Sequence, residues 1–316
     1  MKQITLGLVA HVDAGKTTCS EAILYTCGTI RSSGRVDHKD TFLDYDSQER
    51  SRGITIYLKQ ARFDYKETHF TLLDTPGHLD FSCEMERTLQ VLDVAVLILS
   101  SNEPVQSHTR TIWKLLNDYH IPTFLFVNQM DISYATKAEI LQSLQKELSS
   151  SCIPLDTIDE DVALLDDDLL EQWTENNTLS AESLQKAIAA RHIFPVYFGS
   201  GLKQDGITEL LEGLNQYAPQ PHYPADFGAR VFKITRAPQG NRLTHIKMTG
   251  GSLKVKNYSE NEKVDQIRLY HGNQFTMKDE VFAGEICSLK GPHNVQIGQG
   301  IGYEHKQAPL LQSCLS

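Results

Sequence analysis

No stretch of the 316-residue sequence approaches the roughly 20 consecutive apolar residues that a membrane-spanning helix needs, so no membrane partner is predicted. The first ten residues lack a basic stretch followed by an apolar core and a small-residue cleavage site, and no secretory signal is read. Cysteine is sparse. The six residues, Cys19, Cys27, Cys83, Cys152, Cys287 and Cys314, form no C-x-x-C pair and have no histidine at zinc-site spacing. That usage predicts reduced thiols and a cytoplasmic protein. Positive charge is also short, with 30 Lys and Arg against 40 Asp and Glu, a net charge of −10. Such a balance argues against a whole-surface, sequence-independent hold on nucleic acid and makes DNA an unexpected partner, while leaving room for a local RNA-facing patch. The acidic run 156–168 is expected to be a solvated surface segment. No internal repeat or low-complexity tract is visible. What remains, 40% hydrophobic and 22% charged residues over this length, is an ordinary globular chain long enough for two cores.

Five short apolar runs recur in the first two thirds, at 4–10, 70–74, 94–100, 123–128 and 194–200. Runs of this length without alternation suit strands buried on both faces of a parallel sheet. Helical patterns lie between them, at 17–27, 81–92, 107–119, 137–148 and 181–190. Strand alternating with helix predicts an α/β, doubly wound, mostly parallel sheet with its ligand site beyond the carboxyl ends of the strands. Pro219, Pro221 and Pro224 then mark an extended linker. After it come short strand patterns with turn signals, at 230–234, 242–248, 252–255, 263–270 and 280–289, read as a small antiparallel β-barrel. The predicted domains are 1–220 and 221–306, with 307–316 as the start of a third.

The polar residues gather at the predicted strand ends. Ala10-His11-Val12-Asp13-Ala14-Gly15-Lys16-Thr17, followed by Thr18, fits a phosphate loop with Ala at the usual first glycine. Small residues let the backbone N–H groups turn toward a β-phosphate, and the following helix adds its positive end. Lys16 is expected on the β- and γ-phosphates and the Thr17 hydroxyl on Mg²⁺. Asp74-Thr75-Pro76-Gly77-His78 offers a carboxylate for a Mg²⁺-bound water and, at Gly77, an unobstructed N–H for the γ-phosphate. By itself an Asp-x-x-Gly is a common turn. In Asn128-Gln129-Met130-Asp131, the Asp131 carboxylate can accept from both N1–H and the 2-amino group of guanine, which adenine cannot offer. Ser200-Gly201-Leu202 ends the last run, where backbone N–H groups can meet the guanine O6. The segment 52–56 contains Thr55, whose hydroxyl could close onto Mg²⁺ when a γ-phosphate is present. It also reads as an ordinary edge strand.

"AHVDAGKTT", "RSRGITI", "DTPGHLDF" and "NQMD", in this order, resemble the translational GTPases. The likeness is strongest to elongation factor G and the tetracycline-resistance ribosomal protection proteins, and it continues through "VFKIT", "RLTHIKMTGGSLK", "HGNQF" and "AGEI" to cover nearly the whole chain. The span between Asp131 and Phe194 is too short for the extra subdomain of elongation factor G, and the start lacks its longer leader. Both features resemble the protection branch.

The resemblance implies GTP and GDP with Mg²⁺, and a monovalent cation beside the phosphates near Asp13. It implies ribosome-stimulated hydrolysis, with ribosomal RNA and protein at the factor-binding site as partner and no delivery of tRNA. It implies that His78 orients the attacking water and that Val12 and Ile54 form an apolar gate. His11, Asp13, Ala14, Gly15, Lys16, Thr17, Thr18, Gly77, Asn128, Gln129, Asp131, Ser200, Gly201 and Leu202 become the candidate nucleotide contacts, with Thr17, Thr55 and Asp74 around the metal. A translocase, a release-factor recycling GTPase, and a guanine-nucleotide scaffold with little hydrolysis remain alternatives.

Three departures stand out. Gln129 replaces the family lysine whose stem covers the guanine. Losing its charge is expected to weaken binding by about 1 kcal/mol. Gly201 replaces a common alanine, a change expected to matter little. Residues 307–316 resemble the start of a third domain, so the chain reads as a fragment of the longer family architecture, with tetracycline release beyond it.

Overall fold

The computed structural model describes residues 2–31, 59–75, 82–155, 158, 160–237, 240–259, 262–272 and 274–306. The predicted candidates Ile54, Thr55, Gly77 and His78, and the segment 307–316, lie outside them. The first sheet is built from β1 (Lys2–Ala10), β2 (Lys59–Tyr65), β3 (Thr68–Asp74), β4 (Val94–Ser100), β5 (Thr123–Asn128), β6 (Cys152–Ile153) and β7 (Phe194–Phe198). Its order is β2-β3-β1-β4-β5-β7-β6, and every pairing is parallel except the β2–β3 hairpin. The helices packed with it are α1 (Lys16–Thr26), α2 (Ser82–Leu89), α3 (Ser107–Asp118), α4 (Lys137–Glu147), α5 (Glu160–Ala163), α6 (Asp167–Asn176), α7 (Ala181–Ala189) and α8 (Ile207–Tyr217).

The runs without alternation are explained by two cores. Leu8, Phe124 and Phe126 face one, with Ile23 of α1 and Leu210 and Leu214 of α8. Their neighbours Val9, Leu125 and Val127 face the other, with Met85 of α2 and Ile112 of α3. A strand buried on both faces needs apolar residues at consecutive positions. The acidic run is less plainly solvated than its composition suggests. Asp166 caps α6, accepting from Asp168 N at 3.0 Å and Leu169 N at 3.1 Å, and its other oxygen meets His192. The following acids occupy the first helical turn, where the helix dipole favours negative charge.

Residues 218–227 contain no helix or strand. Beyond them is an antiparallel sheet in the order β14-β13-β16-β9-β8-β17. Its strands are β8 (Gly228–Arg236), β9 (Arg242–Gly250), β13 (Gln266–His271), β14 (Gln274–Lys278), β16 (Ile286–Lys290) and β17 (Gly300–Gly302). Two short pairs join β10 (Ser252–Lys254) to β15 (Glu280–Phe282) and β11 (Tyr258–Ser259) to β12 (Glu262–Lys263). The run predicted as one strand at 280–289 is two, because Gly284 at φ 88° turns the chain between β15 and β16. A third core, including Val231, Ile246, Leu269 and Cys287, fills this unit.

The two sheets meet on the α2 side. Phe232 and Ile286 of the antiparallel unit insert into the core shared by α2 and α3. Lys247 Nζ donates to Val91 O at 3.0 Å and pairs with the Asp93 carboxylate. Asp93 also accepts from Thr5 N of β1 at 2.7 Å and from Tyr223 OH at 3.4 Å. Lys233 pairs with Glu84 of α2 at 2.7 Å, and Gly272 N donates to Gln60 O of β2 at 2.8 Å.

Candidate guanine-nucleotide site

β1 runs into a five-residue loop that opens directly into α1, so the N-terminal N–H groups of the helix crown the loop. Two turns of the loop need positive φ, at Asp13 (63°) and Gly15 (83°). Gly15 has a second constraint: a Cβ there would stand 2.3 Å from Asn128 Nδ2. Lys16 is buried and pairs with the fully buried Asp74 at the end of β3. Ser20 Oγ adds a longer contact to the same carboxylate oxygen at 3.4 Å. The other oxygen, Oδ2, is buried and has no hydrogen-bond partner among the described residues. An orphaned carboxylate oxygen beside a lysine and the helix start carrying Thr17 suits a hard cation with oxygen ligands, and the residues present therefore fit Mg²⁺.

Asn128 ends β5 and joins two loops. Its Nδ2 donates to Ala14 O at 2.9 Å, and its Oδ1 accepts from Gly201 N at 2.8 Å. Ser101 N donates to Asn128 O, and Met130 N to Gly199 O, each at 3.0 Å. Gln129, at φ 65°, repeats the arrangement one residue on. Its Nε2 donates to Asp13 O at 3.2 Å while its Oε1 accepts from Ser100 Oγ at 2.7 Å. Consecutive carboxamides thus hold consecutive carbonyls of the phosphate loop. The expectation that Gln129 acts only through the charge it lacks is incomplete, because its two-ended amide makes a neutral tie that sequence alone did not reveal.

Asp131 lies in a single 3₁₀ turn, Met130–Ile132, with its side chain exposed. The loop after β7 is closed on itself by Ser200 N to Asp205 O and Asp205 N to Ser200 O, both 3.0 Å. Ser200 and Gly201 are buried, and Leu202 is exposed. Gly201 packs closely on α1, and an added Cβ would lie 2.9 Å from Cys19 Sγ, near enough that loop or helix would have to shift. The view that glycine for alanine matters little here is therefore corrected. Burial pushes the Cys19 thiol up, leaving it a neutral packing group.

Thr17, Thr18 and Val12 are partly buried around the loop, whereas the Asp13 side chain is exposed. His11 turns its ring to the edge of His108 at 5.7 Å. The structure thus gathers Asp13 to Thr18, Asp74, Asn128, Gln129, Asp131 and Ser200 to Leu202 at the carboxyl ends of β1, β3, β5 and β7. Ser100 and Ser101 were missed. Their only signal was a pair of small polar residues ending a central apolar run.

The profile of the elongation factor Tu GTP binding domain matches residues 1–220. The chain belongs to this family. Family membership carries guanine-nucleotide binding, in keeping with the loops just described. Over 95% of its length the chain is 32% identical to the tetracycline resistance protein TetP of Clostridium perfringens. Over 92% it is 33% identical to TetS of Listeria monocytogenes and to TetM of Ureaplasma urealyticum. It covers 52%, 50% and 50% of these proteins, so it spans about half the length of the relatives it matches. A solved structure from Thermus thermophilus superposes on 95% of the chain with a TM-score of 0.85, covering 54% of that protein. At 21% identity it shares the fold. Among the described residues no helix is long and apolar enough to cross a membrane.

Proposed function

We propose that this chain binds GTP and GDP with Mg²⁺, hydrolyses GTP, and is the nucleotide-handling part of a cytoplasmic factor of the ribosomal protection type acting on the ribosome. The observation that carries the reading is Asn128, one side chain holding the phosphate loop through Ala14 and the base loop through Gly201. Lys16 would meet the β- and γ-phosphates, and Thr17, Thr55 and Asp74 would surround the cation, which supplies neutralisation of phosphate charge. Asp131 would accept from the guanine edge, while N–H groups of Ser200 to Leu202 would donate to O6. His78 would orient water, with Gly77 on the γ-phosphate and Val12 and Ile54 screening the site. A GTPase unit over 1–220, an antiparallel unit over 221–306 and a further segment from 307 complete the proposed organisation. The relatives' names supply the link to tetracycline resistance.

The test is base selectivity. Asp131→Asn should lose guanosine diphosphate affinity by on the order of 10⁴ and gain xanthosine diphosphate, which presents an acceptor where guanine has its amino group. Retained guanine preference in that variant would refute the site. Ribosome-stimulated turnover, abolished by His78→Ala with nucleotide affinity intact, would establish the hydrolytic part.

A further inference from the structure

Gly201 lies where the loop after β7 crosses the first turns of α1. A Cβ added there would be 2.9 Å from Cys19 Sγ and 3.2 Å from both the Cα and N of Cys19. The first distance is one that real side chains essentially never show, and the other two involve backbone that cannot swing aside. Cys19 is fully buried, and Cys19 N is committed to Gly15 O at 2.9 Å inside the helix. Relief of any added bulk must therefore come from the loop. The Gly201 N–H is also the group that donates to Asn128 Oδ1. Lifting Gly201 away from α1 would pull on that bond, while the turn carrying Asp131 keeps its own tie to the loop two residues earlier, Met130 N to Gly199 O at 3.0 Å.

We propose that Cys19 and Gly201 form a size-matched positioning pair that sets how deeply the base loop sits and so how long a guanine nucleotide stays bound. The proposal rests on the assignment of Ser200-Gly201-Leu202 to the guanine O6. Neither residue is a catalytic residue. Cys19 acts through Gly201, and Gly201 acts by where it places its own N–H and those that follow.

The experiment is stopped-flow release of a fluorescent GDP from the whole chain. Gly201→Ala should speed release on the order of tenfold, the scale of one methyl group forced into a packed contact. Cys19→Ala in the same chain removes the sulfur, the tightest of the three contacts, and should restore part of the loss, the contacts with the helix backbone remaining. Equilibrium binding separates the contact to O6 from the contact to the 2-amino group. GDP and inosine diphosphate share O6 and differ at the amino group read by Asp131, so Gly201→Ala should weaken both by the same factor. Should Gly201→Ala fail to fold, Cys19→Leu approaches the contact from the helix side and should speed release with Gly201 unaltered. Unchanged release in Gly201→Ala, a double variant no slower than the single one, or selective loss of GDP over inosine diphosphate would overturn the proposal. Failure of the unaltered chain to bind GDP would instead overturn the functional reading beneath it.

Discussion

Replacing Asp93 by alanine removes the group on which β1, the linker and the antiparallel unit converge. The Asp93 and Lys247 side chains are only 9% and 5% exposed. Without the carboxylate, Lys247 keeps Val91 O as its acceptor, and Thr5 N loses its 2.7 Å partner. Stranding one member of a buried ion pair costs about 3–5 kcal/mol, a large share of the roughly 5–15 kcal/mol that holds a domain folded. Lys247→Met should cost less, about 1–3 kcal/mol, because Asp93 retains Thr5 N and Tyr223 OH and the methionine preserves the stem's packing. Urea unfolding followed by tryptophan fluorescence and far-ultraviolet circular dichroism measures both. Trp113 on α3 and Trp173 on α6 report on the first unit, whereas dichroism reports on both. The Asp93→Leu, Lys247→Met double variant should recover most of the loss, short of the Thr5 N–H. An Asp93→Ala variant within about 1 kcal/mol of the unaltered protein, or a double variant whose losses simply add, would refute the clamp.

Three further outcomes follow from other elements. Asp166→Ala should destabilise the protein by about 1 kcal/mol through loss of the α6 cap, read from the urea midpoint, while Asp166→Ser should retain most of it. Although burial opposes it, the His192 contact and the helix N–H groups hold the Asp166 carboxyl below its ordinary range. The charged cap is therefore present above the unfolded carboxylate pKa and is lost as pH falls toward the folded one. His245 has the same sign for a different reason. Burial, helped by Lys233, pushes its pKa down to about 3, and Thr235 and Ser288 hydroxyls occupy its two ring nitrogens at 2.8 and 2.7 Å. The unfolded chain takes up a proton near pH 6.5 that the folded ring refuses, so stability falls by about 1–2 kcal/mol between pH 7 and pH 5. His245→Asn should flatten that dependence relative to the unaltered chain. Finally, calorimetry should show Gln129→Lys tightening GDP binding by about 1 kcal/mol through its cation. Gln129→Ala should weaken it by about 1 kcal/mol through loss of the Asp13 and Ser100 ties. No change in either would remove Gln129 from the site.

The parallel strands were legible because double-sided burial leaves uninterrupted apolar runs, as at 94–100 and 123–128. β2 escaped because Lys59 to Tyr65 alternate with polar residues, and β6 is only two residues long. In the antiparallel unit β14 was missed, since all five of its residues are exposed and none carries a burial signal. At the site, Lys16, Asp74, Asn128 and Asp131 were readable because each belongs to a local motif whose chemistry is carried by its own side chain. The roles of Ser100 and Cys19 were not. They arise only when β4 is laid beside β5 and α1 beneath the loop after β7, contacts between residues far apart in the chain. Gln129 fell between these cases, conspicuous as a departure while its partners stayed hidden.

The paired carboxamides have a consequence for chemical durability. Neither Asn128 nor Gln129 carries a titratable proton, so the links to Ala14 and Asp13 keep the same donors across the whole range in which carboxylates and imidazoles change charge. That indifference has an irreversible counterpart. Hydrolysis of a carboxamide releases ammonia and leaves a carboxylate, which only accepts and would confront the Ala14 or Asp13 carbonyl lone pair to lone pair. Ageing at either position would unpick the loops from each other in protein whose backbone is intact, and mass spectrometry would register it as a gain of about one dalton.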